Sequence, residues 1–458
     1  MAKMKVDNVI LPSHGSEKTF DVTITDNIVT SVRPSSAPHH CPSLLLPSLC
    51  HPHLHLDKAY LLTSNNPTYA HLAPKTGTFS EALTTTAQAK SLYTEDDLYL
   101  RGAQLLSTIY TQGATSARTF VEVDATTGTL PLTVARRLKR EFAHLIEIQI
   151  VAFAQEPLFS KDDGEANRLV LEGVLASEAA ADISVLGTTP YVEVDEHAMS
   201  ENIHWAIETA IDKCLHLDFH LDYNLKPTGI NQGQVMPWAF NVVTFLLTAD
   251  WNTMNKDKTV VLGHCTQLSH ANPRNLRHAA HRIRTHNLPI HFVGLPTSDL
   301  FMMGRDHYPK PRGTLPVMDF IREPYCLNAC LGVNNVGNAF TPYGTGDPLT
   351  LASWGVGIYQ AGTEKDAETL YGCVSWRARK AIGLASEQDE KEREETDVVE
   401  GMRWKPMLLV ENKGAVEVPG PGSGDGVSGV MAFPARQRVS IRDVVWDPPE
   451  VNLRKVIR

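Results

Sequence analysis

Apolar positions change their period along this chain. Between residues 4 and 33 they fall in three short runs: Val9-Ile10-Leu11, Phe20-Asp21-Val22-Thr23-Ile24 and Ile28-Val29-Thr30-Ser31-Val32. Side chains two apart on a strand share a face, so this texture predicts short strands. Ser13-His14-Gly15-Ser16 and Asp26-Asn27 supply the turns between them, which makes the segment a small β-meander.

From residue 44 the texture becomes alternating apolar strands and amphipathic helices. Leu44-Leu45-Leu46-Pro47-Ser48-Leu49 reads as a strand running into Cys50-His51-Pro52-His53-Leu54-His55. Helices are predicted at Leu98 to Gln112, Leu132 to Phe142, Ile203 to Lys213 and Leu276 to Thr285. Strands are predicted at Ala114 to Val121, Ile146 to Phe153, Asp182 to Gly187, Leu215 to His220, Thr259 to His264, Pro289 to Val293 and Tyr325 to Gly332. Roughly eight strand–helix units over about 300 residues is the size of a (β/α)8 barrel. No Gly-x-Gly-x-x-Gly follows an early strand, which leaves the dinucleotide-binding version of an open doubly wound sheet with little support.

Past the barrel, residues 386–397 form a dense charge run that reads as a solvated loop or helix face. Short β-like runs return at Met407 to Val410 and Arg438 to Ile441, interrupted by a Gly/Pro/Ser-rich stretch at 419–429 that reads as a loop. The fold class expected is therefore α/β: a TIM-like barrel over 47–385, with a small β-sandwich domain built from residues 1–46 and 386–458. A chain of 458 residues is long enough for both.

Composition narrows the function classes. A net charge of -10 argues against a nucleic-acid partner, whose electrostatic footprint is basic. No run of 18 apolar residues predicts a membrane span, and the N-terminal residues show no signal-peptide pattern. Seven scattered cysteines without a CxxC pair do not form a disulfide framework, so a reduced, cytoplasmic location is expected. Cys326 and Cys330, four apart, read as buried strand residues. The sequence leaves a homo-oligomer open.

Four histidines stand at predicted strand ends, where a barrel places its active site: His53 and His55, His220, and His264. Any one alone would be read as a satisfied structural histidine; four at the mouth of one barrel suggest a metal site. Imidazole is the commonest ligand for divalent transition metals, and three imidazoles leave an open position for water. A metal there lowers the pKa of that water and makes a nucleophile.

At these residues the chain resembles the amidohydrolase superfamily, and within it the cytosine deaminase-like branch that includes N-isopropylammelide amidohydrolases. The resemblance runs from about residue 44 to 385. It rests on Pro52-His53-Leu54-His55-Leu56-Asp57-Lys58, Gly113 to Thr119, Ile148 to Glu156, Phe219-His220-Leu221-Asp222, Gly263-His264-Cys265-Thr266, and Met303-Gly304-Arg305 with Tyr308 to Gly313. It implies that His53, His55 and His220 hold one zinc or iron ion, that His264 bonds the water or substrate, and that Gln155 contacts a substrate ring. Arg118 and Arg305 are further candidates for positioning a small-molecule substrate.

Two positions depart from that branch. Its strand-eight motif supplies a metal-proximal aspartate that acts as base, whereas Gly332-Val333-Asn334-Asn335-Val336 places Asn334 there. An amide oxygen can ligate a metal or accept a hydrogen bond, but it cannot serve as a general base. The branch's glutamate two residues beyond the strand-five histidine's neighbour is replaced by Tyr223 in His220-Leu221-Asp222-Tyr223. Candidates to replace the lost groups are His264, Asp222, Glu156, Glu193 and Asp299, while Asp57 and Lys58 read as a local pair. The function expected is hydrolysis of a non-peptide C–N bond in a small cyclic amide, amidine or amino-heterocycle. The alternatives are a catalytically impaired homologue that binds a ligand or partner, and a hydratase or lyase. The long loop Ser64 to Leu92 is expected to cap the site.

Overall fold

The computed structural model describes residues 2–36, 40–63, 66–160, 163–228, 235–385, 398–422 and 428–458. Among these residues sixteen strands run in order as β1 (Lys3–Ile10), β2 (Phe20–Thr25), β3 (Ile28–Pro34), β4 (Ser43–Pro47), β5 (Leu49–His55), β6 (Ala114–Glu122), β7 (Glu147–Ala154), β8 (Ile183–Thr188), β9 (His216–Leu221), β10 (Val260–His264), β11 (Ile290–Gly294), β12 (Ala329–Leu331), β13 (Met407–Val410), β14 (Ala415–Gly422), β15 (Ser428–Pro434) and β16 (Arg454–Ile457).

Strands β5 to β12 form one eight-stranded sheet in sequential order, and every pairing in it is parallel. The sheet closes on itself through Asn334, whose N–H donates to the His53 carbonyl at 3.0 Å and whose carbonyl accepts from the His55 N–H at 2.8 Å. Helices join successive strands, so both surfaces of each strand are covered, and β5, β6 and β9 are buried at every position. This is the α/β barrel expected from the alternation of strands and helices.

The chain ends meet beside it in a six-stranded sheet of order β16-β13-β4-β1-β2-β3. β13 inserts antiparallel between β4 and β16, which brings both ends together over their own core of Val6, Leu11, Val22, Ile24, Leu45 and Met407. β4 ends at Pro47 and β5 begins at Leu49, so a single residue separates the two sheets.

Several boundaries shift from the sequence expectation. The last barrel strand is only Ala329–Leu331, because Cys326 takes a left-handed backbone, φ 48, that interrupts the extended run. Cys330 is buried in that strand, but Cys326 is half-buried and outside it. Arg438 to Ile441 is not a strand: Ser440 caps the helix Ile441–Trp446, its side chain accepting from the Asp443 N–H. Part of the Gly/Pro/Ser stretch pairs as the hairpin β14–β15. The charge run at 386–397 lies outside the described residues. Among the described residues no helix is long and apolar enough to cross a membrane.

One buried ion pair ties the terminal sheet to the barrel. Arg454 of β16 meets Asp347 in a bidentate pair at 2.8 and 3.0 Å, and its guanidinium also donates to the carbonyls of Pro449 and Gln112. Asp347 in turn caps the helix Pro348–Ile358. The substitution Asp347→Asn keeps an acceptor for the cap but leaves the guanidinium buried without a counter-charge. It should lower unfolding stability by about 3–5 kcal/mol, read from the urea midpoint; a loss under about 1 kcal/mol would place the pair among those that contribute little.

Candidate active site

The pleat of β5 aims His53 and His55 to the same side, into the barrel. His220 comes up beside them from β9. The Nε2 atoms of His53 and His55 stand 3.0 and 3.1 Å from Nε2 of His220. All three rings are fully buried, and burial holds each well below the ordinary histidine pKa, so they are neutral and present lone pairs. One ring N–H cannot satisfy all three nitrogens. A shared cation can, and three buried imidazoles with ligand atoms within 4.8 Å of one another suit a divalent transition metal. Gly263 and Gly332 make the room: a Cβ on either would come within 3.1 Å of the His53 side chain.

Asn334 follows β12 with φ 67, a left-handed backbone that asparagine tolerates better than most residues. Its amide donates to the Ser298 hydroxyl at 2.8 Å. Its Oδ1 is buried without a hydrogen-bond partner, and the amide lies close enough to His53 and His55 to influence both. An orphaned oxygen beside three imidazoles fits a metal as a fourth, neutral donor.

His264 ends β10. Its Nδ1 stands 2.8 Å from Asp299 Oδ1, and Asp299 Oδ2 accepts from the Thr314 hydroxyl at 2.7 Å. Asp299 is buried, which pushes its carboxyl up, while His264 and Thr314 pull it back. A carboxylate on Nδ1 assigns the proton to that nitrogen and leaves Nε2 an acceptor. Tyr223 packs its ring on His264 with centroids 4.0 Å apart.

The other carboxylate candidates are committed elsewhere. Asp222 does not face the site: both its oxygens accept backbone N–H groups, of Trp238 at 2.8 Å and Ala239 at 2.9 Å, at the start of the helix Trp238–Thr248. Burial pushes it up to about 6. Glu193 binds the Leu158 N–H, the Ser160 hydroxyl and Asn202. Glu156 pairs with Lys90 at 3.0 Å. Only Asp299 reaches the site, through His264.

Among the proposed positioning residues, Gln155 lines the cavity but the two arginines do not. Arg118 is sealed deeper in the barrel, paired with Asp218 at 2.9 Å and bonded to Gln149 at 3.1 Å. A strand residue one pleat lower faces the packed interior rather than the mouth. Arg305 lies half-buried against Phe301, donating to its carbonyl at 2.9 Å, beside Gly77.

Lys58 is the residue that local reading misplaced. It does not pair with Asp57: its ammonium meets Glu122 at 2.5 Å and donates to Gln155 Oε1 at 3.1 Å, on the cavity wall. Glu122 joins it to Lys90 at 2.6 Å, and Lys90 also meets Asp124 at 2.5 Å. Burial would raise Glu122, but the two lysines hold it down to about 2. Asp57, next in the chain, is pushed up to about 6 by burial and by Glu122. Burial would push Lys90 down, but Glu122, Asp124 and Glu156 hold it well above the ordinary lysine range. Glu122, Asp124 and Glu156 are close enough to hold a metal, yet the Lys90 ammonium already bridges them. No local spacing signals this network, because Lys58 and Glu122 are far apart in the chain.

A small cavity lies between His55, His220, His264, Asn334, Gln155 and Lys58. Phe79, Tyr191, Tyr223 and Phe340 close over it, with ring centroids 5.5 Å apart for Phe79–Tyr223 and 6.0 Å for Phe79–Phe340. The segment expected to be a capping loop therefore does reach the cap, but as a helix, Phe79–Lys90. Thr78 caps it, and Glu81 gathers the N–H groups of Lys75, Thr76 and Gly77, which lowers its pKa to about 2.

No protein-family model matches the chain, and no curated protein matches it. Solved structures do. A 5-methylcytosine deaminase from Klebsiella pneumoniae liganded with 5-fluorocytosine superposes with a TM-score of 0.70 at 22% identity, over 83% of this chain and 87% of that one. An N-isopropylammelide isopropylaminohydrolase from Burkholderia multivorans gives 0.66 at 18% identity, over 100% and 97%. An adenosine deaminase from Xanthomonas campestris with bound zinc gives 0.57 at 12%, over 89% and 84%. The chain thus has the fold of these amidohydrolase-type enzymes, as its motifs suggested.

Replacing Lys90 with methionine leaves three buried or half-buried carboxylates facing one another. Lys90→Met should cost about 3–5 kcal/mol of stability, measured by urea denaturation. A variant as stable as the parent would show that the network is compensated elsewhere.

Proposed function

We propose that the protein is a metal-dependent hydrolase that cleaves a non-peptide C–N bond in a small cyclic amide, amidine or amino-heterocycle. The observation that carries this is the convergence of His53, His55 and His220 beside the His264–Asp299 pair at one cavity. The ligand set is offered to one zinc or iron ion, with Asn334 Oδ1 as a neutral neighbour. Such an ion, when bound, supplies Lewis-acid polarisation and a water of lowered pKa.

The remaining steps belong to the chain. His264 Nε2 takes the proton that the attacking water loses and returns it to the departing nitrogen as the C–N bond breaks. Asp299 fixes the ring and stabilises the imidazolium that forms, as a buried carboxylate does in other histidine pairs. This places the base on His264 rather than at the strand-eight position, where Asn334 cannot accept a proton. Gln155, its oxygen occupied by Lys58 and its amide beside the Tyr191 hydroxyl, has an N–H group to offer a ring oxygen or nitrogen. The rings of Tyr191, Tyr223 and Phe340 line the small cavity beside the histidines, which favours a small planar substrate.

The second reading, a homologue that binds without turnover, is favoured by Asn334 alone. The same experiment addresses both. Elemental analysis of the purified protein should find one zinc or iron per chain, lost in His53→Ala. His264→Ala should keep the metal and lower ammonia or amine release from cyclic substrates about 100- to 10,000-fold. No metal after reconstitution would overturn the hydrolase reading; metal with ligand binding but no turnover across cyclic amides and amino-heterocycles would favour the second.

A further inference from the structure

We infer that Asp218 is a positioning residue of the metal site: it stands behind His53, accepts the hydrogen on Nδ1 of that ring, and so aims Nε2 at the ion. The inference rests on the hydrolase reading and adds a residue to its site.

A neutral imidazole that offers its Nε2 lone pair to a metal carries its hydrogen on Nδ1. The group that accepts that hydrogen sets the orientation and basicity of the ring. The three ligand rings differ at this back atom. Nδ1 is buried without a hydrogen-bond partner in His53, His55 and His220 alike. Among the described residues, His53 alone of the three faces a carboxylate there, with Asp218 Oδ1 3.9 Å away. That oxygen is also buried and without a hydrogen-bond partner. A donor and an acceptor, each otherwise unsatisfied, thus face one another inside the barrel, where leaving both unmade is costly. The gap is wider than a hydrogen bond, and a displacement of about 1 Å closes it.

The place of Asp218 follows from the pleat of β9. It lies two residues before His220, so it shares the inward face one layer below the ligands. Its other oxygen accepts from Arg118 at 2.9 Å. Arg118 donates in turn to Gln149 Oε1 at 3.1 Å, and the Gln149 amide donates to the Ile382 carbonyl at 2.8 Å. Asp218 is therefore tethered through one oxygen and open at the other. Gly263 of β10 lets the backbone approach the same edge of the ring: a Cβ there would stand 3.1 Å from Cε1 and 3.3 Å from Nδ1 of His53.

Stability alone is a poor account of the Arg118–Asp218 pair. Both side chains are fully buried, and replacing such a pair by apolar residues is often neutral or stabilising. A parallel arrangement stands beside it, where Asp299 meets Nδ1 of His264 at 2.8 Å. Each of the two carboxylates backs one imidazole of the site.

The test measures zinc affinity of the metal-free protein by competition with a chromophoric chelator. It also records the visible spectrum of the cobalt(II) form, whose bands report the ligand geometry. Arg118→Met/Asp218→Leu removes the pair as a unit and leaves no buried charge unmatched. Its urea midpoint should equal or exceed the parent's, while zinc binding weakens about 10- to 100-fold and the cobalt bands shift. Weakening of less than about tenfold, or cobalt bands that stay in place, would overturn the inference and leave the pair a structural one. Asp218→Asn covers failure of the double variant to fold. Its amide is a weaker acceptor than a carboxylate, so the same loosening and shift are expected, and parent-like values would again overturn the inference. Zinc held by the parent and equally by the variants sinks only this inference, whereas a parent that binds neither zinc nor cobalt sinks the hydrolase reading with it.

Discussion

Glu122 is the contact on which the mouth of the barrel depends. It is a wholly buried carboxylate at the end of β6, and each of its oxygens meets a different ammonium. Lys58 comes from the turn after β5 and Lys90 from the last turn of the capping helix. Two buried ammonium groups could not approach one another without it, and neither alone would justify burying a carboxylate. One side chain thus fixes the cavity wall and anchors the lid. The cost of desolvating five charged groups is met only because their contacts are short and shared, and because Glu156 keeps its outer end in water, its side chain 39% exposed.

The parts of the site that could be read in the sequence are those set by strand periodicity. His53 and His55 share a face because they are two apart, and His220 and His264 lie at or next to the ends of apolar runs that had to be buried strands. Asn334 was legible by its place in a motif. The misplaced residues depend on facts that periodicity does not carry. Arg118 lies on an inward face like the histidines, but one layer lower, and depth along a strand is set by register with Gln149 and Asp218. Asp222 directly follows β9, and its positive φ of 49 turns it towards a helix N-terminus instead of the cavity. Lys58 and Lys90 reach Glu122 from the neighbouring strand end and from the capping helix, pairings fixed by the β5–β6 register and by where that helix docks. The capping helix had a local signal, the Thr78 cap with Glu81 three residues on, which a composition-based view of the segment as a loop overlooked.

The fold and its neighbours agree at the level of architecture, and what this chain can do at the cavity is set by the residues that line it. An amide, Asn334, follows β12 and a phenol, Tyr223, follows β9, so neither position brings a carboxylate to the cavity. The pair that remains able to move a proton, His264 with Asp299, is set one strand further round, and its carboxylate is buried behind the ring. A buried carboxylate supplies both a proton acceptor and a counter-charge, and here the two are divided: Glu122 is the counter-charge for Lys58, while Asp299 lies behind the His264 ring that faces the cavity. An arrangement of that kind leaves the cavity wall to imidazole, amide and phenol groups, with the acids one layer back, where they fix the positions of the groups in front of them.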